Sequence, residues 1–84
     1  MNMIEKQNVR PALLKMLDKW PSSVVAREEI GRFTGGMIRP GTLANLDSIG
    51  KGPEGRFFTG GRKVVYDAEQ FVLWLDKRSS DQRA

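Results

Sequence analysis

Cysteine and histidine are both absent from this chain of 84 residues. Without thiols there is neither a disulfide nor a thiolate metal site, which suits a reducing compartment. Without histidine, the commonest general base and metal ligand near neutral pH is also missing, and the carboxylates are scattered as helix caps and surface partners. No catalytic residue, metal site or cofactor is therefore expected, and an enzyme is not expected either. Nor does any apolar run approach the roughly 18 residues needed to cross a bilayer. The first ten residues are too polar for a signal peptide with an apolar middle, so no membrane partner is expected and the cytoplasm is the default.

What is present is basic and patterned. The formal charge is +4 and 39% of residues are hydrophobic, enough for one modest core in a domain of this size. Between residues 50 and 66 stand Lys51, Arg56, Arg62 and Lys63 against the lone carboxylate of Glu54, so the positive surplus has a definite address.

Apolar spacing and backbone punctuation divide the chain. Leu13, Leu14, Leu17 and Trp20 recur at three- and four-residue steps after Pro11 and stop at Pro21, predicting a first helix over about 10–20. Ala26, Ile30 and Phe33 make a second stripe, predicting a helix over about 25–33 that Gly35-Gly36 ends. Pro40 opens a third segment in which Leu43, Leu46 and Ile49 share a face and Gly50 closes the turn; opposite them lie Gly41, Ala44, Asn45 and Ser48. Arg56 to Thr59 and Arg62 to Tyr66 then read as strands around a two-residue Gly60-Gly61 turn. In that register Phe57 faces Val64, and Tyr66 points inward with them, while Phe58, Lys63, Arg56 and Val65 take the other face. Asp67, followed by Gln70, forms a capping box for a last helix over about 68–78, with Ala68, Phe71, Val72, Trp74 and Leu75 on its apolar side. Phe57, Tyr66 and Trp74 are expected in the core. Phe58 and Leu73, turned away from it, are candidates for a small self-association patch. The expected organisation is a flexible start at 1–9, a single domain at 10–78 and a flexible tail at 79–84.

The string Gly50-Lys51-Gly52-Pro53-Glu54-Gly55 matches a dinucleotide-binding pattern by letter only. It follows a helix and leads into a hairpin, whereas a phosphate-cradling loop follows a strand and opens a helix.

The helix order, together with Thr42-Leu43, Gly50-Lys51-Gly52-Pro53, Gly61-Arg62-Lys63-Val64-Val65-Tyr66 and Phe71-Val72-Leu73-Trp74-Leu75, resembles the small MerR-related winged helix-turn-helix proteins, the excisionases and AlpA-like regulators of phages and integrated elements. The resemblance covers about residues 24–78 and implies a mainly α fold with a small β-hairpin wing, in the order α-α-α-β-β-α. It further implies a small sequence-specific double-stranded DNA-binding protein, a transcriptional regulator or excisionase-like accessory factor, with the third helix in the major groove and the wing on the adjacent backbone. On that basis the DNA-binding residues are Arg39, Thr42, Asn45, Ser48, Lys51, Arg56, Arg62 and Lys63, with no small-molecule cofactor and a homodimer or cooperative multimer on the duplex. One departure matters: where many relatives carry an arginine and an aromatic in the third helix, this chain has Ala44, Asn45, Leu46 and Asp47. A carboxylate there repels phosphate, so Asp47 accepts from a cytosine amino group, lies off the groove or pairs with a local cation. The alternative function is a protein-interaction module, a phage packaging or recombination adaptor that keeps the fold without reading DNA.

Overall fold

A computed structural model describes residues 8–79. Residues 1–7 and 80–84, most of the two segments expected to be loose, lie outside the described residues. Val9, also expected in the loose start, is instead buried in the core. Its neighbour Arg10 accounts for this. The Arg10 backbone N–H donates to the Asp76 carboxylate at 3.1 Å, and its guanidinium donates to the same carboxylate at 2.5 Å and to the Asp76 carbonyl at 3.0 Å. The start of the fold is thereby fastened to its last helix.

Helix α1 (Pro11–Lys19) begins with proline, which needs no amide partner in a first turn, and buries Leu13. The chain then extends through Trp20, whose indole N–H donates to the Val24 carbonyl at 2.9 Å.

The next segment departs from expectation. Val24–Ala26 is a strand, β1, followed by a 3-10 turn at Arg27–Glu29 and a short helix α2 at Ile30–Phe33. The predicted helix over 25–33 is thus helical only in its second half. Two β-branched valines favour an extended backbone, and antiparallel pairing with a later strand supplies the amide partners a helix would otherwise offer.

Gly35 and Gly36 then take φ of 63° and 86°, angles that cost a side-chain-bearing residue a Cβ clash, and α2 ends there. Helix α3 (Pro40–Ser48) closes on Gly50 at φ 75°. Its last carbonyls accept from the Gly50 N–H at 3.1 Å and the Lys51 N–H at 2.8 Å, the paired bonds of a Schellman cap. Leu43 is buried and Leu46 packs against the core, but Ile49, beyond the last helical residue, is 63% exposed rather than sharing their face.

Strands β2 (Phe57–Phe58) and β3 (Val64–Asp67) form the hairpin, and β1 adds to the far side of β3, giving an antiparallel sheet in the order β1-β3-β2. Asp67 caps α4 (Ala68–Lys77), accepting from the Gln70 N–H at 2.9 Å as the capping pattern predicts. Four helices and a three-stranded sheet make up the described residues.

The hairpin is shifted by one residue from the predicted register. Phe57 pairs with Val65 and Phe58 with Val64. The turn holds three residues, because Arg62 joins the two glycines and takes φ 71°. The Thr59 N–H donates to the Lys63 carbonyl at 2.9 Å, and the Arg62 N–H to Thr59 at 3.0 Å. Since a one-residue slip exchanges faces, Phe57 sits beside Val65 instead of Val64 and is 46% exposed rather than in the core. Val25, Val64 and Tyr66 line the inner face. Behind them Tyr66, Phe33 and Trp74 surround Phe71, and Trp20 adds to Phe33, in a chain of ring contacts with centroids 5.1–5.9 Å apart. Leu73 is partly buried against this core, whereas Phe58 is 62% exposed. No helix among the described residues is long and apolar enough to cross a membrane.

Candidate nucleic-acid interface

Packing of Leu43 fixes the rotation of α3 and leaves Gly41, Thr42, Asn45 and Ser48 outward and exposed. These are short side chains that let a flat surface approach the helix closely. The Ser48 hydroxyl donates to the Asn45 carbonyl at 2.7 Å, so its proton is used within the helix and its lone pairs face outward. Arg39 precedes the helix without a side-chain cap, leaving the first-turn amides to solvent or an anion.

Asp47 does not belong to that outward surface. Its side chain is only 4% exposed. One carboxylate oxygen accepts from the Arg27 guanidinium at 2.7 Å and from the Tyr66 hydroxyl, while Arg56 approaches the same oxygen at 3.6 Å. The Arg27 Nε–H also donates to the Tyr66 oxygen at 3.0 Å. Four residues from α3, the 3-10 turn, β3 and the wing thus meet at one carboxylate. Of the roles open to Asp47, pairing with local cations, away from the outward face, is the one observed. A charge this deeply placed is tolerated because one of its oxygens is paired with a guanidinium and accepts two hydrogen bonds.

Two consequences can be measured. Burial, followed by the hydrogen bond it donates to Asp47, pushes the Tyr66 hydroxyl up to about 12. A tyrosine that holds its proton more tightly when folded contributes stability that is complete below pH 10 and lost as pH rises through 12. Urea unfolding between pH 9 and pH 12 should therefore show wild type losing roughly 2 kcal/mol more than Tyr66→Phe. Parallel profiles would mean the hydroxyl is not held this way.

Gly52 is the second. A Cβ built there lies 1.8 Å from the Asp47 Oδ1 and 3.3 Å from its Cα, and the carboxylate cannot swing aside because its other oxygen is committed. Gly52→Ala should cost about 1–3 kcal/mol, as overpacking does, and read out as a lowered denaturation midpoint.

The wing carries the other expected residues. Arg56 faces inward toward Asp47, so it is partly engaged by the fold. Lys51 is exposed just past α3, and its carbonyl accepts from the Trp74 indole at 3.0 Å. Arg62 and Lys63 lie at the exposed tip. Lys63 reaches Glu28 at 2.5 Å, a contact that raises the lysine pKa and, being fully in water, is easily exchanged for another anion.

The start of α3 is a ridge between two grooves. Pro40 shares one with Arg27, Glu28, Gly61, Arg62, Lys63 and Val64. On the other side, Arg39 and Thr42 share a groove with Met37, Leu75 and Arg78. Arg39, Thr42, Arg62 and Lys63 are thus gathered around one end of α3, whereas Lys51 and Arg56 lie toward its other end. Arg27 and Arg78 join the first group without having been expected there. Arg27 is held by distant residues, Asp47 and Tyr66, whereas Arg78 stacks over the Trp74 ring one helical turn earlier, at 4.9 Å.

Among the described residues no group of three acidic residues is gathered to hold a metal ion. No family model, curated protein or solved structure matches the chain.

Proposed function

We propose that this is a winged helix-turn-helix protein of MerR-related, excisionase or AlpA-like type, a small cytoplasmic protein that binds double-stranded DNA in a sequence-specific way. It would act as a transcriptional regulator or as an accessory factor in excision. In this reading α2 and α3 form the helix-turn-helix, α3 enters the major groove, and β2 with β3 is the wing.

The observation that carries the reading is the start of α3, whose residues line two grooves: one holds Arg62 and Lys63 with Glu28 and the Asp47-paired Arg27, and the other holds Arg39 and Arg78. A helix end inserted into a major groove about 12 Å wide meets a phosphate strand on each side, and cations in both flanking grooves suit that arrangement. The exposed small and polar face of Thr42, Asn45 and Ser48 would meet base edges, with Asn45 suited to adenine. Withdrawal of Asp47 into its cation pair removes the chief objection to that face.

Arg62 adds independent support. A non-glycine residue in the left-handed region costs about 1–2 kcal/mol, and such strain persists where a side chain is useful. Arg62→Gly should hold folding stability level or raise it by up to about 1 kcal/mol while weakening duplex retention several-fold. Equal or tighter DNA binding by that variant would leave the strain unexplained.

The decisive experiment is selection of bound duplexes from a random pool, with affinity for the enriched sequence followed from 50 to 200 mM salt. Affinity should fall steeply, because phosphate contacts release counterions. A charge of +4 neutralises few phosphates, so tight retention calls for a dimer or cooperative neighbours. No enrichment over background, or affinity indifferent to salt, counts against the proposal.

The protein-interaction alternative is favoured by one observation: Ile49, Phe57 and Phe58 are large, apolar and exposed. A partner captured through these residues would be insensitive to the charge of the wing tip.

A further inference from the structure

Phe57 and Phe58 are neighbours on the edge strand β2, yet the pleat sends them to opposite faces of the sheet. Phe57 shares its face with buried Val65. Phe58 lies opposite Val64, on the face that also carries Val25 and Tyr66, and is 62% exposed. This is the face turned toward α3, since Tyr66 reaches Asp47 on that helix. Val64 itself lines the groove shared by Pro40 and the wing tip. Phe58 therefore extends the inner face of the sheet past the core, on the side where α3 is exposed, within a cationic hairpin bearing Arg56, Arg62 and Lys63.

From this placement we infer that Phe58 is a wedge that inserts between stacked base pairs beside the site occupied by α3 and bends the duplex. The inference rests on the DNA-binding reading. The physical logic is that cations hold the backbone while a flat apolar ring replaces part of one base-stacking contact, opening the step and kinking the helix by roughly 20–90°. At 62% exposed, the Phe58 ring has no core role at the hairpin edge and is free to meet a partner. The ring's preferred target would be a pyrimidine–purine step, TA or CA/TG, which unstacks most readily, at a fixed distance from the bases met by α3. The wing would then contribute sequence preference without a hydrogen bond to any base.

The test uses the full chain and duplexes enriched by selection, end-labelled for energy transfer and carrying 2-aminopurine at successive steps on the wing side. With wild type, the ends should approach and one step should brighten several-fold. Phe58→Ala should abolish both signals while retaining the duplex with a modest loss of affinity. Phe58→Leu, still an apolar wedge, should restore part of the bend, and Phe57→Ala should leave it unchanged. Thermal melting checks that each variant folds, and little change is expected at so exposed a position. A Phe58→Ala complex as bent and as bright as wild type, or a wild-type complex that is straight, overturns the wedge while leaving DNA binding standing. Failure of wild type to retain any duplex removes the DNA-binding reading and the wedge with it. Equal sensitivity of protein-partner capture to Phe57→Ala and Phe58→Ala, with bending unaffected, assigns the ring to a protein surface instead.

Discussion

Replacing Asp47 with alanine should lower the melting temperature by more than about 10 °C, the largest stability effect expected of any single substitution in this chain. The side chain is almost wholly buried, accepts hydrogen bonds from Arg27 and Tyr66, and has Arg56 nearby as a further ion-pair partner. Its removal strands a guanidinium and a hydroxyl that have already given up water. Losing one member of a buried ion pair typically costs 3–5 kcal/mol, and the partial exposure of Arg27 brings the expectation to about 3 kcal/mol. Small domains hold only about 5–15 kcal/mol in total, so the loss is a large fraction. Asp47→Asn keeps the volume and an acceptor and should fall between the two. A melting temperature within a few degrees of wild type for Asp47→Ala would mean that the carboxylate is not the junction between helix and wing. Were it instead a base-reading group, the same substitution would change sequence preference and leave the melt alone.

The second large effect concerns binding. Arg62→Glu combined with Lys63→Glu takes the formal charge from +4 to zero and puts two anions at the tip that shares a groove with Pro40. Each phosphate contact contributes about 0.9 to the slope of log affinity against log salt, so two lost contacts lower that slope by about 2. With repulsion added, affinity for a selected duplex at 0.1 M salt should fall by at least ~100-fold. Both side chains are exposed, so the fold should survive, and melting confirms it. Retention of the duplex by this variant would move the contact surface away from the wing, and intact capture of a protein partner would favour the interaction-module alternative.

Much of the architecture was legible because local rules and tertiary packing agree. Pro11, Pro40 and the Asp67–Gln70 pair mark helix starts that the structure keeps, and Gly50 supplies the left-handed residue that stops α3. The parts that were not legible depend on contacts between distant segments. Ala26, Ile30 and Phe33 stand at helical spacing through this stretch, yet it is Val25 rather than half-buried Ala26 that is buried with Ile30 and Phe33. Pairing of Val25 with Tyr66, which no local pattern announces, makes the first part of it a strand. The two glycines of the hairpin suggest a two-residue turn, and only the left-handed backbone at Arg62 reveals the third member and the slipped register. Asp47 looked misplaced on a helix otherwise suited to DNA because its partners stand 20 and 19 positions away along the chain. Of the expected site residues, Arg39, Thr42, Arg62 and Lys63 converge, while Arg27 and Arg78 could be recognised only once the grooves were formed.

The sheet order also dictates when the molecule can become whole. The hairpin needs only neighbouring residues and can close early, but β1 must find β3 across the entire stretch that holds α2 and α3. Until that late meeting, one edge of the central strand stands open with its amides unsatisfied. Mispairing in a newly made chain is accordingly expected at β1 and at the edge of β3 that waits for it.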